Sequence, residues 1–338
     1  MSSAEVSIAR GYKNANVLVT GGLGFIGSTL AIALVKAGAR VTIVDALIPN
    51  YGGNLFNIEP VKNKAEVIYT DIRNAHLMNE VVKRRDYIFN FAGTLSHVDS
   101  VIDPFTDLDI NCRAQLSLLE ACRQFNPKVR ILFAGTRNQY GRAVYLPVDE
   151  AHPQVPIDIN GINNIAGESY HLLYYTLHSI KTASLRLSNT YGPRHQMRHS
   201  RQGVLNWFIR QALDHETITL YGSGGQIRDT VYVDDVVNAF LRSGLSQKVW
   251  GKAFNIGGEP IDLKSFVQKV VQRAHAGRVV AGRFPPDRKK IEIGDYVADW
   301  SLAQKIFGWE PKVNLNEGIQ KTIRYYRTYR THYWNKLK

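Results

Sequence analysis

The segment at positions 20–27, which reads TGGLGFIG, holds the first residues whose types and spacing could do chemistry. It follows a short β-rich run and opens a helical pattern. Gly21 permits a tight turn there, Gly24 lets the backbone approach a pyrophosphate, and Gly27 allows the helix to pack closely on the strand. Because the N-terminus of a helix presents free N–H groups and a partial positive charge, the segment predicts a binding site for a dinucleotide phosphate.

An acidic residue, Asp45, ends the second predicted strand, where dinucleotide-binding folds carry a ribose-binding carboxylate. A carboxylate there can accept hydrogen bonds from the adenosine ribose hydroxyls and would repel a 2′-phosphate, so NAD is favoured over NADP. Asp71 and Ile72 follow the third predicted strand and could border the adenine. The small residues Ala92 and Gly93 follow the fourth strand and leave room for the nicotinamide ribose and the phosphates.

These residues need a scaffold that brings the ends of several strands together, and the rest of the sequence predicts one. The predicted strands span 16–20, 40–45, 65–69, 86–91, 129–134 and 182–187. The predicted helices span 25–36, 74–83, 105–125, 162–178, 204–213, 263–275 and 315–326. The alternation of strands and helices indicates an α/β fold, a doubly wound parallel sheet with a smaller C-terminal substrate-binding lobe.

The pattern loosens after residue 187, which predicts a division of the chain. Residues 12–187 form the dinucleotide-binding domain in this interpretation, and residues 230–258 return to it. Residues 188–229 and 259–330 form the lobe. Residues 331–338 are a basic, aromatic tail that could contact nucleic acid or an anionic membrane, but packing of its rings on the body of the protein is favoured.

The composition excludes several other classes of protein. The 338 residues are 44% hydrophobic, with 27 Gly and 12 Pro, a balance typical of a globular chain rather than a disordered or collagen-like one. The stretch 16–35 is uncharged, but its glycines indicate strand, loop and helix rather than a membrane span. Two cysteines are too few for a disulfide framework, and no secretory signal is visible, so a cytoplasmic protein is predicted.

Further motifs follow the glycine segment in order. They are DIR at 71–73, SNTYGPR at 188–194, RDTVYVDD at 228–235, FNIGG at 254–258 and ADWSLAQKIFGWEP at 298–311. Together they resemble the NAD-dependent nucleotide-sugar epimerase/dehydratase branch of the extended short-chain dehydrogenase/reductase family, in particular UDP-glucose 4-epimerases, over nearly the whole chain. The resemblance implies a Rossmann-type domain that binds NAD and a C-terminal lobe that binds a nucleoside diphosphate sugar.

The resemblance also implies roles for individual residues. The cofactor would contact Gly21, Gly24, Phe25, Ile26, Gly27, Asp45, Asp71, Ile72, Phe91, Ala92, Gly93, Asn111 and Asn164. Asn189, Arg228 and Arg288 would bind the nucleotide sugar, with the two guanidinium groups suited to the diphosphate. Thr136 would bind a sugar hydroxyl, and no metal site is predicted.

One departure from the family bears on the mechanism. The family uses a Tyr four residues before a Lys, and the phenolate removes a proton from a sugar hydroxyl while hydride passes to the nicotinamide. Asn160 and Asn164 occupy these two positions, and an amide cannot accept a proton near neutral pH. Asn164 could still bind the nicotinamide ribose. The candidate replacement bases are His97, Tyr140 and, more distantly, Asp99 and His152.

The function predicted from these motifs is an epimerase that acts through a transient keto sugar. A dehydratase or a decarboxylase shares the first oxidation step, but dehydratases carry an Asp-Glu pair where this chain has Arg137 and Asn138. The two asparagines also fit a pseudoenzyme that binds NAD or a nucleotide sugar without catalysis. A homodimer is predicted through the helices at 105–125 and 162–178. The apolar edge of these helices includes Leu116, Leu119, Leu172 and Leu173.

Overall fold

A parallel sheet forms the centre of the structure, a computed structural model that describes residues 3–286, 289 and 292–334. The seven strands of this sheet in the described residues are β1 (Asn16–Thr20), β2 (Arg40–Asp45), β3 (Ala65–Tyr69), β4 (Tyr87–Asn90), β5 (Arg130–Thr136), β6 (Lys181–Leu187) and β10 (Ala253–Ile256). They lie in the order β3-β2-β1-β4-β5-β6-β10, and all neighbours are parallel. Strands that are covered on both faces need apolar side chains on both, which explains continuous apolar runs such as YIF at the start of β4.

Helices cover both faces of this sheet, and others pack in the smaller lobe. They are α1 (Ser3–Tyr12), α2 (Phe25–Lys36), α3 (Ala75–Val81), α4 (His97–Ile102), α5 (Pro104–Leu108), α6 (Ala114–Phe125), α7 (Ile159–His178), α8 (Val204–Leu213), α9 (Val233–Leu245), α10 (Leu263–Ala274), α11 (Ser301–Phe307) and α12 (Leu315–Tyr329). One core contains side chains of α1, α2, α9 and α11, and a second core contains side chains of α3, α6 and α7. The predicted Rossmann-type α/β fold is confirmed.

The remaining strands belong to the smaller lobe. They are β7 (Asn189–Tyr191), β8 (Thr217–Tyr221), β9 (Ile227–Tyr232), β11 (Glu259–Asp262) and β12 (Arg278–Gly282). β9 lies between β7 and β11, β8 pairs with β12, and the lobe's core contains side chains of α8, α10 and α12. The sequence grouped residues 301–309 with the lobe, but Ala303 and Trp309 pack in the core of the main sheet.

The predicted bounds hold best around the glycine segment and worst in the helix predicted at 105–125. β1, β2, β3 and α2 begin and end at the predicted residues, and within the described ranges no helix is long and apolar enough to cross a bilayer. The helix at 105–125 is instead split into α5, a π-helical turn (Asp109–Arg113) and α6. In that turn, Asn111 accepts the N–H of Thr94 at 2.9 Å and donates to its hydroxyl at 2.6 Å. These hydrogen bonds to Thr94 favour the one-residue insertion that makes this turn π-helical. Such π-helical turns are common at functional sites.

Both ends of the described chain pack on the body of the protein. No sequence pattern predicted α1, which buries Tyr12 and lets its hydroxyl donate to a backbone carbonyl of α9 at 2.9 Å. In the tail, Tyr333 and Trp334 are buried, and the indole N–H of Trp334 donates to Asp214 at 2.8 Å. The prediction that the aromatic tail packs on the body is confirmed up to residue 334, and residues 335–338 lie outside the described part.

We expect Tyr12→Ala to lower the free energy of unfolding by about 3–5 kcal/mol, the usual cost of truncating a buried aromatic side chain. Tyr12 is fully buried, and its ring packs against Tyr87 and Phe89. Tyr69→Ala is the matched control, because Tyr69 on β3 is 60% exposed. Urea unfolding followed by circular dichroism measures both variants. Equal losses of stability would contradict the assignment of α1 to the core.

Candidate active site

A cavity of about 660 Å³ opens at the carboxyl ends of the central strands. β1 and β4 are neighbours there, and the strand order reverses between them. In doubly wound sheets, ligands bind in the crevice at this switch point. Residues that follow β1, β2, β4 and β5 line one side of the cavity, and residues of the smaller lobe line the other.

The turn after β1 has no room for a side chain at Gly21, nor has the start of α2 at Gly27. Gly21 has a φ of +64°, and a Cβ there would lie 2.7 Å from the carbonyl oxygen of Phe91. A Cβ on Gly27 would lie 2.4 Å from the carbonyl oxygen of Gly21, so α2 packs directly on the turn. Gly24 is the N-cap residue of α2, and no side chain caps this helix. The first N–H groups of α2 are therefore left for a ligand, in a cradle that only backbone forms.

Asp45 ends β2 beside this cradle. Its carboxyl oxygens accept the N–H of Leu23 at 3.0 Å and the N–H of Leu47 at 2.9 Å. Burial raises the pKa of Asp45 above its usual value, and the two backbone hydrogen bonds oppose only part of this increase. The carboxyl group is thus fixed against the glycine turn and at the wall of the cavity.

Every residue that the sequence suggested for the cofactor lies on the wall of this one cavity. These residues are Gly21, Gly24, Phe25, Ile26, Gly27, Asp45, Asp71, Ile72, Phe91, Ala92, Gly93, Asn111 and Asn164. They come from the ends of four strands and from three helical segments, and only the fold brings them together. Their contact with a cofactor stays a prediction.

The residues suggested for the substrate lie where the sheet meets the lobe. Thr136, Asn189 and Arg228 line the cavity, and Arg288 lies outside the described residues. The hydroxyl oxygen of Thr136 accepts a backbone N–H of its own 3-10 turn at 3.2 Å, which leaves the hydroxyl hydrogen for a ligand. The side-chain oxygen of Asn189 is buried and has no hydrogen-bond partner among the described residues. Arg228 donates to Glu292 at 2.6 Å.

A histidine and an aspartate form a pair in the same region. His97 lines the cavity, and its Nδ1 is hydrogen-bonded to Asp158. Asp158 is the N-cap residue of α7, because its other oxygen accepts the N–H of Gly161 at 2.7 Å. The Asp158 side chain is 2% exposed and that of His97 is 30% exposed. Burial acts to raise the pKa of Asp158, but the hydrogen bond and charge of His97 hold it below its usual value. The pairing leaves Nε2 of His97 for a proton from the cavity.

The other candidate bases lie off the cavity wall. Tyr140 is fully buried. Its hydroxyl oxygen accepts a hydrogen bond from Arg186 at 2.6 Å, and its O–H donates to an asparagine of β10 at 2.7 Å. Burial raises the pKa of Tyr140 to about 12. His152 is also buried, and both its ring nitrogens bond to backbone groups. Asp99 forms an ion pair with Arg201 at 2.8 Å. The suggestion that Tyr140 acts as the base is therefore corrected, because a buried phenol with a raised pKa and two partners is a poor proton acceptor.

Asn160 belongs to a buried network and not to the cavity wall. Its amide donates to the carbonyl oxygen of Thr94 at 2.8 Å and to Asp107 at 2.9 Å. Asn163 donates to the other oxygen of Asp107 at 2.8 Å. Asn164 does line the cavity, and its amide donates to the backbone carbonyl of Asn160 at 2.9 Å. The amide of Asn160, at the predicted position of the family's tyrosine, is thus engaged in holding α7 in place and not in lining the cavity.

Sequence reasoning missed the residues that fix these side chains. Asp158 carried a usable signal, since Asp directly before a helix is a common N-cap. Its pairing with His97 was hidden because 61 residues separate the two. Thr94 and Asp107 carried no signal of their own, because their partners come from another segment of the chain. Glu292 was missed for the same reason.

Comparison with known proteins agrees with this geometry. Residues 17–257 match the NAD dependent epimerase/dehydratase family. The UDP-glucose 4-epimerase of Mycolicibacterium smegmatis is 32% identical over 316 residues, which cover 92% of this chain and 98% of that protein.

Two solved structures are also similar along almost their whole length. The UDP-glucose 4-epimerase of Thermotoga maritima with UDP-glucose has 30% identity and a TM-score of 0.85, covering 93% of this chain and 99% of its own. The UDP-glucose 4-epimerase of Thermus thermophilus in complex with NAD has 30% identity and a TM-score of 0.82, covering 92% and 99%. The chain therefore belongs to the NAD dependent epimerase/dehydratase family, as the order of its motifs predicted.

Proposed function

We propose that this chain is an NAD-dependent nucleotide-sugar epimerase that acts through a transient keto sugar. One observation carries the proposal: an intact dinucleotide cradle and a proton-accepting pair, His97 and Asp158, meet in a single cavity. Membership of the family and its similarity to UDP-glucose 4-epimerases support the same class of reaction.

The residues around the glycine turn fit NAD. The cradle would be filled by a Cβ at Gly21 or Gly27, and the start of α2 leaves N–H groups for a pyrophosphate. Asp45 beside the turn suits the adenosine ribose, and Asn164 suits the nicotinamide ribose. When bound there, NAD would accept a hydride from a sugar carbon and later return it.

The chain's own task is to orient the sugar and to move one proton. Thr136 would donate a hydrogen bond to the reacting sugar oxygen, and Nε2 of His97 would accept the proton of that hydroxyl group. The C–H electron pair leaves the carbon as hydride, the O–H electron pair becomes the second bond of the new carbonyl group, and the proton stays on the imidazole. The buried carboxylate of Asp158 stabilises the resulting imidazolium. Return of hydride to the opposite face of the carbonyl carbon, with return of the proton from His97 to the carbonyl oxygen, would give the epimer.

The lobe side of the cavity suits a nucleoside diphosphate sugar. The unpartnered oxygen of Asn189 can accept a hydroxyl or N–H group of the ligand. Arg228 has a guanidinium group that matches phosphate oxygens, and a diphosphate would compete with Glu292 for it. UDP-glucose, named for the relatives, is the first substrate to test.

The rival functions have less support. Arg137 and Asn138 stand where dehydratases carry Asp and Glu, and neither can provide the acid and base of an elimination. A pseudoenzyme would need the dinucleotide cradle alone, whereas this cavity also holds a histidine oriented by a buried aspartate. That pair gives the chain a proton acceptor in place of the missing phenol.

We also propose a homodimer through α5, α6 and α7, in a cytoplasmic protein. Phe105, Leu108, Ile162 and Leu173 on these packed helices are 75%, 41%, 54% and 47% exposed. The suggested apolar edge needs one correction, because Leu119 is fully buried in the core. The free cysteines of the chain fit a reducing compartment.

We expect Asp45→Ala to weaken NAD binding by at least about tenfold, because hydrogen bonds to a charged acceptor contribute about 1.5–3 kcal/mol each. Glu59→Ala makes the same change of charge at an exposed residue outside the cavity and serves as the control. Isothermal titration calorimetry with NAD measures both variants. Unchanged affinity of Asp45→Ala would remove this carboxylate from the cofactor site.

We expect His97→Gln to reduce kcat with UDP-glucose by about 10²–10⁴-fold, the usual contribution of general base catalysis, while NAD affinity stays unchanged. Asp158→Asn keeps a residue that can cap α7, and it should also lower kcat. His76→Gln is the control, because His76 is exposed on α3.

The split between kcat and substrate affinity separates a base from a structural residue. Loss of the base in His97→Gln should lower kcat, whereas its affinity for UDP-glucose should stay within about twofold of the wild type. The charged groups around His97 are Asp158 on α7, the Asp99–Arg201 pair, and Arg137, whose charge acts on Asp158. Full activity of His97→Gln would exclude it as the base.

We expect the double substitution Ile162→Glu with Leu173→Glu to convert a dimer into a monomer, because it places charges in the proposed apolar interface. Val144→Glu is the control, since Val144 is 74% exposed but lies outside the three helices. Sedimentation velocity at micromolar concentration measures the mass of each protein. A monomeric wild type would contradict the proposed dimer.

A further inference from the structure

One guanidinium group on the cavity wall has no anionic partner among the described residues. Arg137 follows Thr136 directly and begins the 3-10 turn Arg137–Tyr140. Its side chain is half-buried, lines the cavity and lies with its guanidinium carbon 5.4 Å from the centre of the Tyr296 ring. Its Nη1 atom is buried and has no hydrogen-bond partner among the described residues. A buried N–H donor in this state is costly unless it gains a partner.

The nearby charges do not satisfy Arg137. Burial, together with the positive charge of Arg228, lowers the pKa of Arg137 to about 10. Glu292 is already bonded to Arg228 at 2.6 Å. The carboxyl group of Asp229 is also near, but its oxygens accept the backbone N–H groups of Gly258 and Ala298 at 2.5 and 2.7 Å. An anion in the cavity would thus pair with a cation that the described residues leave open.

The position of Arg137 indicates which part of a ligand would carry that anion. The cofactor cradle follows β1, whereas Arg137 follows β5, two strands away, which is about 9–10 Å along the sheet. Adjacent residues have Cα atoms about 3.8 Å apart, so Arg137 lies beside Thr136 at the end of β5. Thr136 is the residue proposed above to bind the reacting sugar hydroxyl.

We infer that Arg137 selects nucleoside diphosphate sugars that carry a carboxylate on the sugar, such as a hexuronate. The inference rests on the proposed function, because it assumes that the sugar is bound beside Thr136. A guanidinium fork binds a carboxylate through two parallel hydrogen bonds, which a neutral hydroxymethyl group cannot replace. Arg137 is then a specificity-determining residue, and His97 remains the proton acceptor for either sugar.

The test compares the binding of UDP-glucuronate and UDP-glucose to the NAD-loaded protein by isothermal titration calorimetry. We expect the wild type to bind UDP-glucuronate at least about tenfold more tightly, as for a charge-assisted hydrogen bond. Arg137→Met should remove this preference and leave the affinity for UDP-glucose within about twofold. Arg137→Lys should restore part of it, and Arg278→Met, at an exposed residue of β12, should change neither affinity.

Each other outcome has a definite meaning. An equal loss of affinity for both nucleotide sugars in Arg137→Met would indicate that the guanidinium group of Arg137 binds the diphosphate, and it would overturn the inference. Equal affinities of the wild type for the two sugars would also overturn it, even if Arg137→Met fails to fold. If neither nucleotide sugar binds, the proposed function fails together with the inference. If both sugars bind with equal affinity, only the inference fails, so the two failures can be told apart.

Discussion

The carboxyl group of Asp107 holds together the segments that surround one end of the cavity. It is buried on α5 and accepts hydrogen bonds from the hydroxyl of Thr94 at 2.5 Å and from the amides of Asn160 and Asn163 at 2.9 and 2.8 Å. These donors belong to the loop after β4 and to α7. A buried polar group that loses its partner costs about 1–3 kcal/mol, and more if it is charged. The three segments are therefore restricted to one arrangement.

If Asn160 occupies the position of the family's tyrosine, as the motif order predicts, this restriction favours an asparagine there. The Asn160 amide donates to both Thr94 and Asp107, whereas a tyrosine has a single O–H donor on a larger ring. The same packing brings the start of α7 against the start of α4, where Asp158 meets His97. In the proposed mechanism, the proton acceptor has therefore moved from α7 to α4. The cradle that suits NAD is unaffected, because it depends on β1, β2 and α2.

What could be predicted from the sequence was set by local interactions. The glycine turn needs a positive φ and close backbone packing, and Asp45 ends a strand of clear pattern, so both were predictable from short segments. The hydrogen-bond network around Asp107 could not be predicted, because its donors come from residues that are distant in sequence and carry no signal individually. The helix predicted at 105–125 failed for the same reason: the π-helical turn is held by bonds from Asn111 to the loop after β4. Tyr140 was misjudged because burial and two hydrogen bonds cannot be read from its neighbours.

The central claim is that His97, oriented by Asp158, takes the place of the missing phenol. A crystal structure of the chain with NAD and a nucleotide sugar tests it most directly, through the distance from Nε2 of His97 to the hydroxyl oxygen on the carbon facing the nicotinamide. The account predicts a hydrogen bond of about 2.6–3.2 Å, with Nδ1 still bonded to Asp158 and Asn160 still in its buried network. A sugar hydroxyl that contacts another titratable group, with His97 turned away from the ligand, would contradict it.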